Sequence, residues 1–154
     1  MRYFFDSSSV AKLYHAESGL ARVIALFREP DRQVYVSRLA LVELASVAAI
    51  KHRTGQISSA MQEDFNRQIL VSMVLGEFIV QSLSDSDYDA AARLISAYGA
   101  KGLRSLDALQ LAAALWRQAR TGVDSFVTSD KTSPPSPGWQ VWIRSNPKEC
   151  AALG

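Results

Sequence analysis

The sequence has a single cysteine, Cys150, so it can form neither an internal disulfide nor a cysteine-built zinc site. The two histidines, His15 and His52, stand far apart and match no metal-ligand spacing. No apolar run reaches the ~18 residues that a membrane span needs. The opening Met1-Arg2-Tyr3-Phe4-Phe5-Asp6 lacks the basic stretch and long apolar run of a secretory signal. A soluble cytoplasmic protein with no membrane partner is the expectation. Excess charge of one sign is also missing. Lys and Arg number 17 against 15 Asp and Glu, a formal net charge of +2. That balance does not by itself point to nucleic acid, and it permits a nucleic-acid partner where basic residues cluster.

What is present is ordinary in amount. The chain has 154 residues, 48% hydrophobic and 21% charged, enough for one domain with a sizeable core. No repeat or linker divides it, so residues 1–154 read as a single domain.

Tyr3 to Phe5 reads as a short buried strand stopped by Asp6-Ser7-Ser8-Ser9, and Val10 to His15 has helical spacing. Any of the three serines can cap that helix. Helices are expected from about Gly19 to Arg28, from a Ser37 cap to Arg53, from Ser58 to Leu75, over Ala90 to Tyr98 after the capping-rich Ser84-Asp85-Ser86-Asp87, and from a Ser105 cap to Arg120. Strands are expected at Gln33 to Val36, Phe78 to Leu83, Ser125 to Thr128 and Gln140 to Ile143, with Thr132 to Gly138, which holds three prolines, as a loop. Strands alternating with helices imply an α/β fold: three layers, α/β/α, with a central, mainly parallel sheet. Sites in such sheets form outside the carboxyl ends of the strands, here just after Phe5 and just after Thr128.

The informative feature is the placement of four acids. Asp6 ends the first strand. Glu43 is the only charge in the twelve residues from Leu39 to Ile50, and Asp107 the only charge from Leu106 to Leu115. Asp130 follows Phe126-Val127-Thr128-Ser129. A helix that is apolar nearly all round is usually largely buried, and an ionised carboxylate there is costly unless it is paired or binds a metal. Taken singly, each acid has another explanation: a salt bridge for Glu43, helix-dipole stabilisation for Asp107, a turn for Asp6 and Asp130. Together they suggest a shared cation. Oxygen donors without His or Cys favour Mg²⁺ or Mn²⁺.

In this order, Tyr3-Phe4-Phe5-Asp6-Ser7-Ser8, Ser37 through Glu43-Leu44, Leu103-Arg104-Ser105-Leu106-Asp107-Ala108-Leu109-Gln110-Leu111-Ala112 and Phe126-Val127-Thr128-Ser129-Asp130 resemble the PIN-domain nucleases, and most closely the VapC-like toxins. The third segment is the most specific. The resemblance implies a metal-dependent endoribonuclease with an acidic pocket of Asp6, Glu43, Asp107 and Asp130 holding Mg²⁺ or Mn²⁺. It implies Ser8 and Thr128 as hydroxyls near metal or substrate, an RNA substrate and an antitoxin protein; a homodimer is expected as well. One departure lies at the C-terminus: the family usually continues into a helix after the fourth acid, where this chain has Lys131-Thr132-Ser133-Pro134-Pro135-Ser136-Pro137-Gly138, and proline prevents an ordinary helix.

Clustered carboxylates repel RNA, so basic residues must offset them. Arg38, Lys101, Arg104 and Lys131 lie next to the proposed site segments, and Arg104 is the one expected to contact RNA phosphates. Tyr14, Tyr98, Trp116, Trp139 and Trp142 could stack bases, but most stand at helical or strand spacing, which favours the core. The Ser58 to Leu75 helix places Met61, Phe65, Ile69, Met73 and Val74 for internal packing, a homodimer or an antitoxin peptide. Two other enzyme readings fit less well. A haloacid-dehalogenase-like phosphatase needs a second Asp where Ser8 stands. A receiver domain needs adjacent acids after the first strand. A degenerate PIN domain that only binds RNA or a protein remains the non-enzymatic alternative.

Overall fold

A computed structural model describes residues 1–14 and 19–129 of the chain. The expected loop at 132–138, the expected last strand at 140–143, and His15, Asp130, Lys131, Trp139, Trp142 and Cys150 lie outside the described residues.

Four short strands form one sheet: β1 (Arg2–Phe5), β2 (Gln33–Ser37), β3 (Ile79–Gln81) and β4 (Ser125–Val127). Their order is β3-β2-β1-β4 and every pairing is parallel, with Phe5 beside Val36 and Val127. Parallel strands need crossovers. Helices α1 (Ser7–Tyr14) and α2 (Leu20–Phe27) join β1 to β2, and α3 (Arg38–Arg53) and α4 (Ser59–Val74) join β2 to β3. Helix α5 (Asp85–Tyr98), a 3₁₀ turn (Gly99–Lys101) and α6 (Ser105–Thr121) lead to β4.

Strand side chains alternate between faces, and the sequence uses this to build two cores. Tyr3, Phe5, Val34, Val36 and Val127 pack with Val10 of α1, Val23 of α2, Leu44 of α3 and Phe65 and Ile69 of α4. Phe4, Tyr35 and Phe126 point the other way, onto Leu111, Ala113 and Ala114 of α6, while Ala91 of α5 meets Ala108 and Ala112 of α6. The three-layer α/β/α arrangement inferred from the sequence is therefore present. Among the described residues no helix is long and apolar enough to cross a membrane.

Local details differ from the sequence reading for physical reasons. Helix α1 begins at Ser7, and its cap is Asp6 rather than a serine: Ser9 N donates to Asp6 Oδ1 at 2.8 Å, and Val10 N to the Asp6 carbonyl at 3.1 Å. Arg104, extended at φ −92° and ψ 162°, occupies the cap position of α6, and Ser105 is already helical. Strand β3 is shorter than expected. Asp87, which stands among polar neighbours in sequence, is 2% exposed and accepts from both the backbone N and Oγ of Ser84. This is the capping box of α5.

Two helices are less buried than their composition suggests. Helix α3 buries only the stripe Ala40, Leu44, Ala48 and leaves Val42 and Ile50 exposed. On α4, Phe65 and Ile69 are buried as expected, but Met61 and Val74 are exposed, and Ser72 takes the inward position. Only one side of each helix meets the sheet layer, so apolar residues beyond that arc face solvent. Leu44→Ala is expected to cost about 2–5 kcal/mol and Val42→Ala no more than about 0.5 kcal/mol, measured by urea unfolding. Equal costs would mean that α3 packs on a different face.

Candidate active site

In the order β3-β2-β1-β4 the chain leaves β1 toward β2 on one side, and β4 lies on the other. The carboxyl ends of β1 and β4 therefore flank the topological switch point, where α/β sheets bind ligands. Asp6 and Thr128 follow those two strands directly.

Asp6 is 6% exposed, and its carboxylate is surrounded by donors. Thr128 Oγ1 donates to Oδ2 at 2.5 Å, Ser8 Oγ lies 2.8 and 2.9 Å from the two oxygens, and Ser9 N reaches Oδ1. Ser129 N donates to Ser8 Oγ at 2.9 Å, and Ser9 Oγ to the Val127 carbonyl at 3.0 Å. These bonds fasten the start of α1 to the end of β4. Burial pushes the Asp6 carboxyl above its ordinary range, and the bonds from Thr128, Ser9 and Ser8 pull in the opposite direction.

Glu43, half-buried on the flank of the α3 stripe, faces the same edge. Burial raises its pKa, hydrogen bonds from Ser7 and Gln110 lower it, and the charges of Asp107 and Asp6 raise it again. Glu43 of α3 thus feels the charge of both Asp6, which follows β1, and Asp107 of α6. Asp107 lies in the first turn of α6, where the helix dipole favours a negative group. Arg104, at the cap of the same helix, is exposed, as are Arg38 at the start of α3 and Lys101, which lies 5.5 Å over the Tyr98 ring.

Ser37 caps α3 as the sequence suggested, but a place beside the acids was not assigned to Ser37, Ser7, Ser9 or Gln110, although Gln110 had a visible signal: it is the only polar residue besides Asp107 between Leu106 and Leu115. It is 2% exposed, donates Nε2 to Glu43 Oε2 at 2.5 Å and accepts from Ser37 Oγ at 3.0 Å. Two of the aromatics, Tyr14 and Trp116, have partners within the fold. Tyr14 bonds Ser72 and packs edge-on to Phe65, and Trp116 lies beneath Arg117 and Arg120. Two clefts, of about 300 and 520 Å³, open beside α4, and neither is lined by Asp6, Glu43 or Asp107.

This donor set suits a hard divalent cation. It is carboxylate and hydroxyl oxygen only, with like charges that a cation would relieve. Among the described residues no three acidic, imidazole or thiol side chains already converge as a metal cage, and Asp130 lies outside the described residues.

A parallel three-layer domain with a buried acid at its switch point belongs to a known class. The PIN domain family model matches residues 3–132, and the chain belongs to the PIN-domain family. Among solved structures it is similar to a toxin–antitoxin complex from Klebsiella pneumoniae, with a TM-score of 0.61, 19% identity, and coverage of 90% of this chain and 96% of that one. It is also similar to VapBC2 from Rickettsia felis bound to a promoter DNA fragment (TM-score 0.57, 15% identity, 84% and 88% covered). A third similar structure is VapC20 of Mycobacterium tuberculosis, a Sarcin-Ricin loop cleaving toxin (TM-score 0.58, 14% identity, 80% and 86% covered). No relative is found among curated protein sequences.

The raised pKa values carry a stability consequence. An acid whose folded pKa lies above its unfolded value stabilises the fold below the unfolded pKa, and that stability is lost as pH rises through the folded value. Asp6 and Glu43 are both of this kind. Asp6→Asn, which can still cap α1, is expected to raise the metal-free Tm at pH 7, with the gain shrinking toward pH 4. Each kcal/mol is worth roughly 2–8 °C. A lower Tm at pH 7 would mean that the bonds to the carboxylate outweigh its burial.

Proposed function

We propose that this protein is a divalent-metal-dependent endoribonuclease that hydrolyses RNA phosphodiester bonds and serves as the toxin of a toxin–antitoxin pair. One observation carries the reading. Asp6 directly after β1, Glu43 on α3 and Asp107 in the first turn of α6 lie close enough that Glu43 feels the charge of both other acids. The PIN-family match and the likeness to toxin–antitoxin and VapC structures support it.

Asp6, Glu43 and Asp107 would hold Mg²⁺ or Mn²⁺, with Asp130 as a fourth acid. When bound, the ion supplies charge neutralisation for the phosphate and a water of lowered pKa. Thr128 and Ser8 fix the Asp6 carboxylate, and Ser9 N ties it to the first turn of α1, so its oxygens have little freedom to turn away. Arg104, exposed at the start of the helix that bears Asp107, binds RNA phosphate and offsets the repulsion between the acids and the backbone. In this reading the protein works in the cytoplasm, pairs with an antitoxin and forms a homodimer. The exposed apolar side chains Val42 and Ile50 on α3, and Leu70, Val71 and Val74 on α4, support partner surfaces.

The second reading is a degenerate PIN domain that binds RNA or a protein without cutting. It is favoured by the absence, among the described residues, of an assembled three-ligand cage. Purified protein incubated with total RNA separates the two. Cleavage with Mn²⁺ or Mg²⁺ that stops with EDTA, and falls to background in Asp6→Asn, is the expected result. Folded protein that neither cuts RNA nor gains Tm with Mn²⁺ supports the binding-only reading. Arg104→Ala is expected to weaken RNA binding and lower the salt slope of log K by about 1. An unchanged slope removes Arg104 from the interface.

A further inference from the structure

We propose that Gln110 is a positioning residue: its buried amide ties Glu43 of α3 to the helix that carries Asp107 and so sets the spacing of two acids that would hold the metal. The inference rests on the nuclease reading above and assigns this chain a device that the four acids alone do not provide.

The argument begins at the cap of α3. Ser37 Oγ accepts from Ala40 N at 3.1 Å as the N-cap. A hydroxyl has one proton. With a lone pair of Ser37 Oγ used by Ala40, its proton points to Gln110 Oε1 at 3.0 Å. The Gln110 oxygen therefore faces Ser37, and its Nε2 faces Glu43 Oε2 at 2.5 Å. The reverse orientation would set an amide oxygen against a carboxylate oxygen, two acceptors without a proton between them. The direction of every bond in the relay is thus fixed, from the Ala40 N–H through Ser37 to Gln110 and on to Glu43.

Position matters as much as direction. Gln110 stands three residues after Asp107 on α6, and residues at that spacing share a helix face. Glu43 is half-buried, and its long side chain loses rotamer freedom when it is held. Without the amide it keeps the bond from Ser7 of α1 but loses its tie to the helix that carries Asp107. An amide is also the right donor. It is neutral, so it orients the carboxylate without neutralising it, whereas Lys or Arg would compete with a cation. Ser37 and Gln110 are 0% and 2% exposed, so the relay is shielded from water, and a buried amide with both ends satisfied has one well-defined arrangement.

The test reads Mn²⁺ affinity, by electron paramagnetic resonance of the free ion, beside Tm by circular dichroism. Gln110→Met keeps the length of the side chain and removes the amide. It is expected to weaken Mn²⁺ binding about 10–100-fold, the usual effect of losing a partner of a metal ligand. In a Glu43→Gln background the same change is expected to have no further effect, since the group it positions is gone. Should Gln110→Met fail to fold because Ser37 is left with a buried unsatisfied hydroxyl, the pair Ser37→Ala with Gln110→Met removes both polar partners and carries the same expectation. A merely structural role would lower Tm and leave Mn²⁺ affinity unchanged, or would cost the same with and without Glu43, and either result overturns the proposal. Wild-type protein that binds no Mn²⁺ overturns the nuclease reading and this inference together. Wild-type binding that Gln110→Met leaves intact overturns the inference alone.

Discussion

The buried carboxylate of Asp6 is the interaction on which the arrangement depends. It sits where β1, β4 and α1 meet, caps α1 through Ser9 N and accepts from Thr128 and Ser8. Hydrogen bonds to a charged group are worth about 1.5–3 kcal/mol each, while taking a carboxylate out of water costs several kcal/mol. Its raised pKa says that burial wins. The position is therefore well fixed and energetically unfavourable in its charged form, a combination found at functional sites. The charges of Asp6 and Asp107 add to the cost at Glu43. A divalent ion bound there would relieve both effects at once, which is the physical reason for proposing a metal site rather than structural acids.

The layered fold brings the acids together. Glu43 comes from the layer of helices covering Phe5 and Val36, and Asp107 from the layer covering Phe4 and Tyr35. Glu43 feels the charges of Asp107 and of Asp6, which follows β1. A two-layer protein would supply one of them. The alternation of side chains along β1 thus does more than build two cores: it sets two helices on opposite faces, close enough for Gln110 of α6 to reach Glu43 of α3. Gln110 closes the gap between the layers by linking α6 to both the start of α3 and its acid.

Much of this was legible in the sequence. Lone acids inside the apolar runs of α3 and α6 stand out by composition, and the strand-end rule located Asp6. The family resemblance joined them. What was not legible depends on neighbours rather than on period. That Asp6, not a serine, caps α1 is decided by where the backbone turns helical, and the same holds for Arg104 ahead of Ser105. The inward turn of Ser72 on α4 depends on Tyr14, its hydrogen-bond partner from α1. Gln110 showed as a polar residue in an apolar run, but its partners lie far off in sequence, in Ser37 and Glu43. The expected role of Asp130 lies outside the described residues.

The central claim is that Asp6, Glu43 and Asp107 form one cation site. Paramagnetic broadening by substoichiometric Mn²⁺ in a nitrogen–proton NMR spectrum tests it most directly. The account expects the amides of Ser7 to Ser9, Val42 to Leu44 and Leu106 to Ala108 to broaden first and together. Broadening that begins instead at the surface acids Glu63, Asp64 or Asp85, with those three segments unaffected, would contradict it.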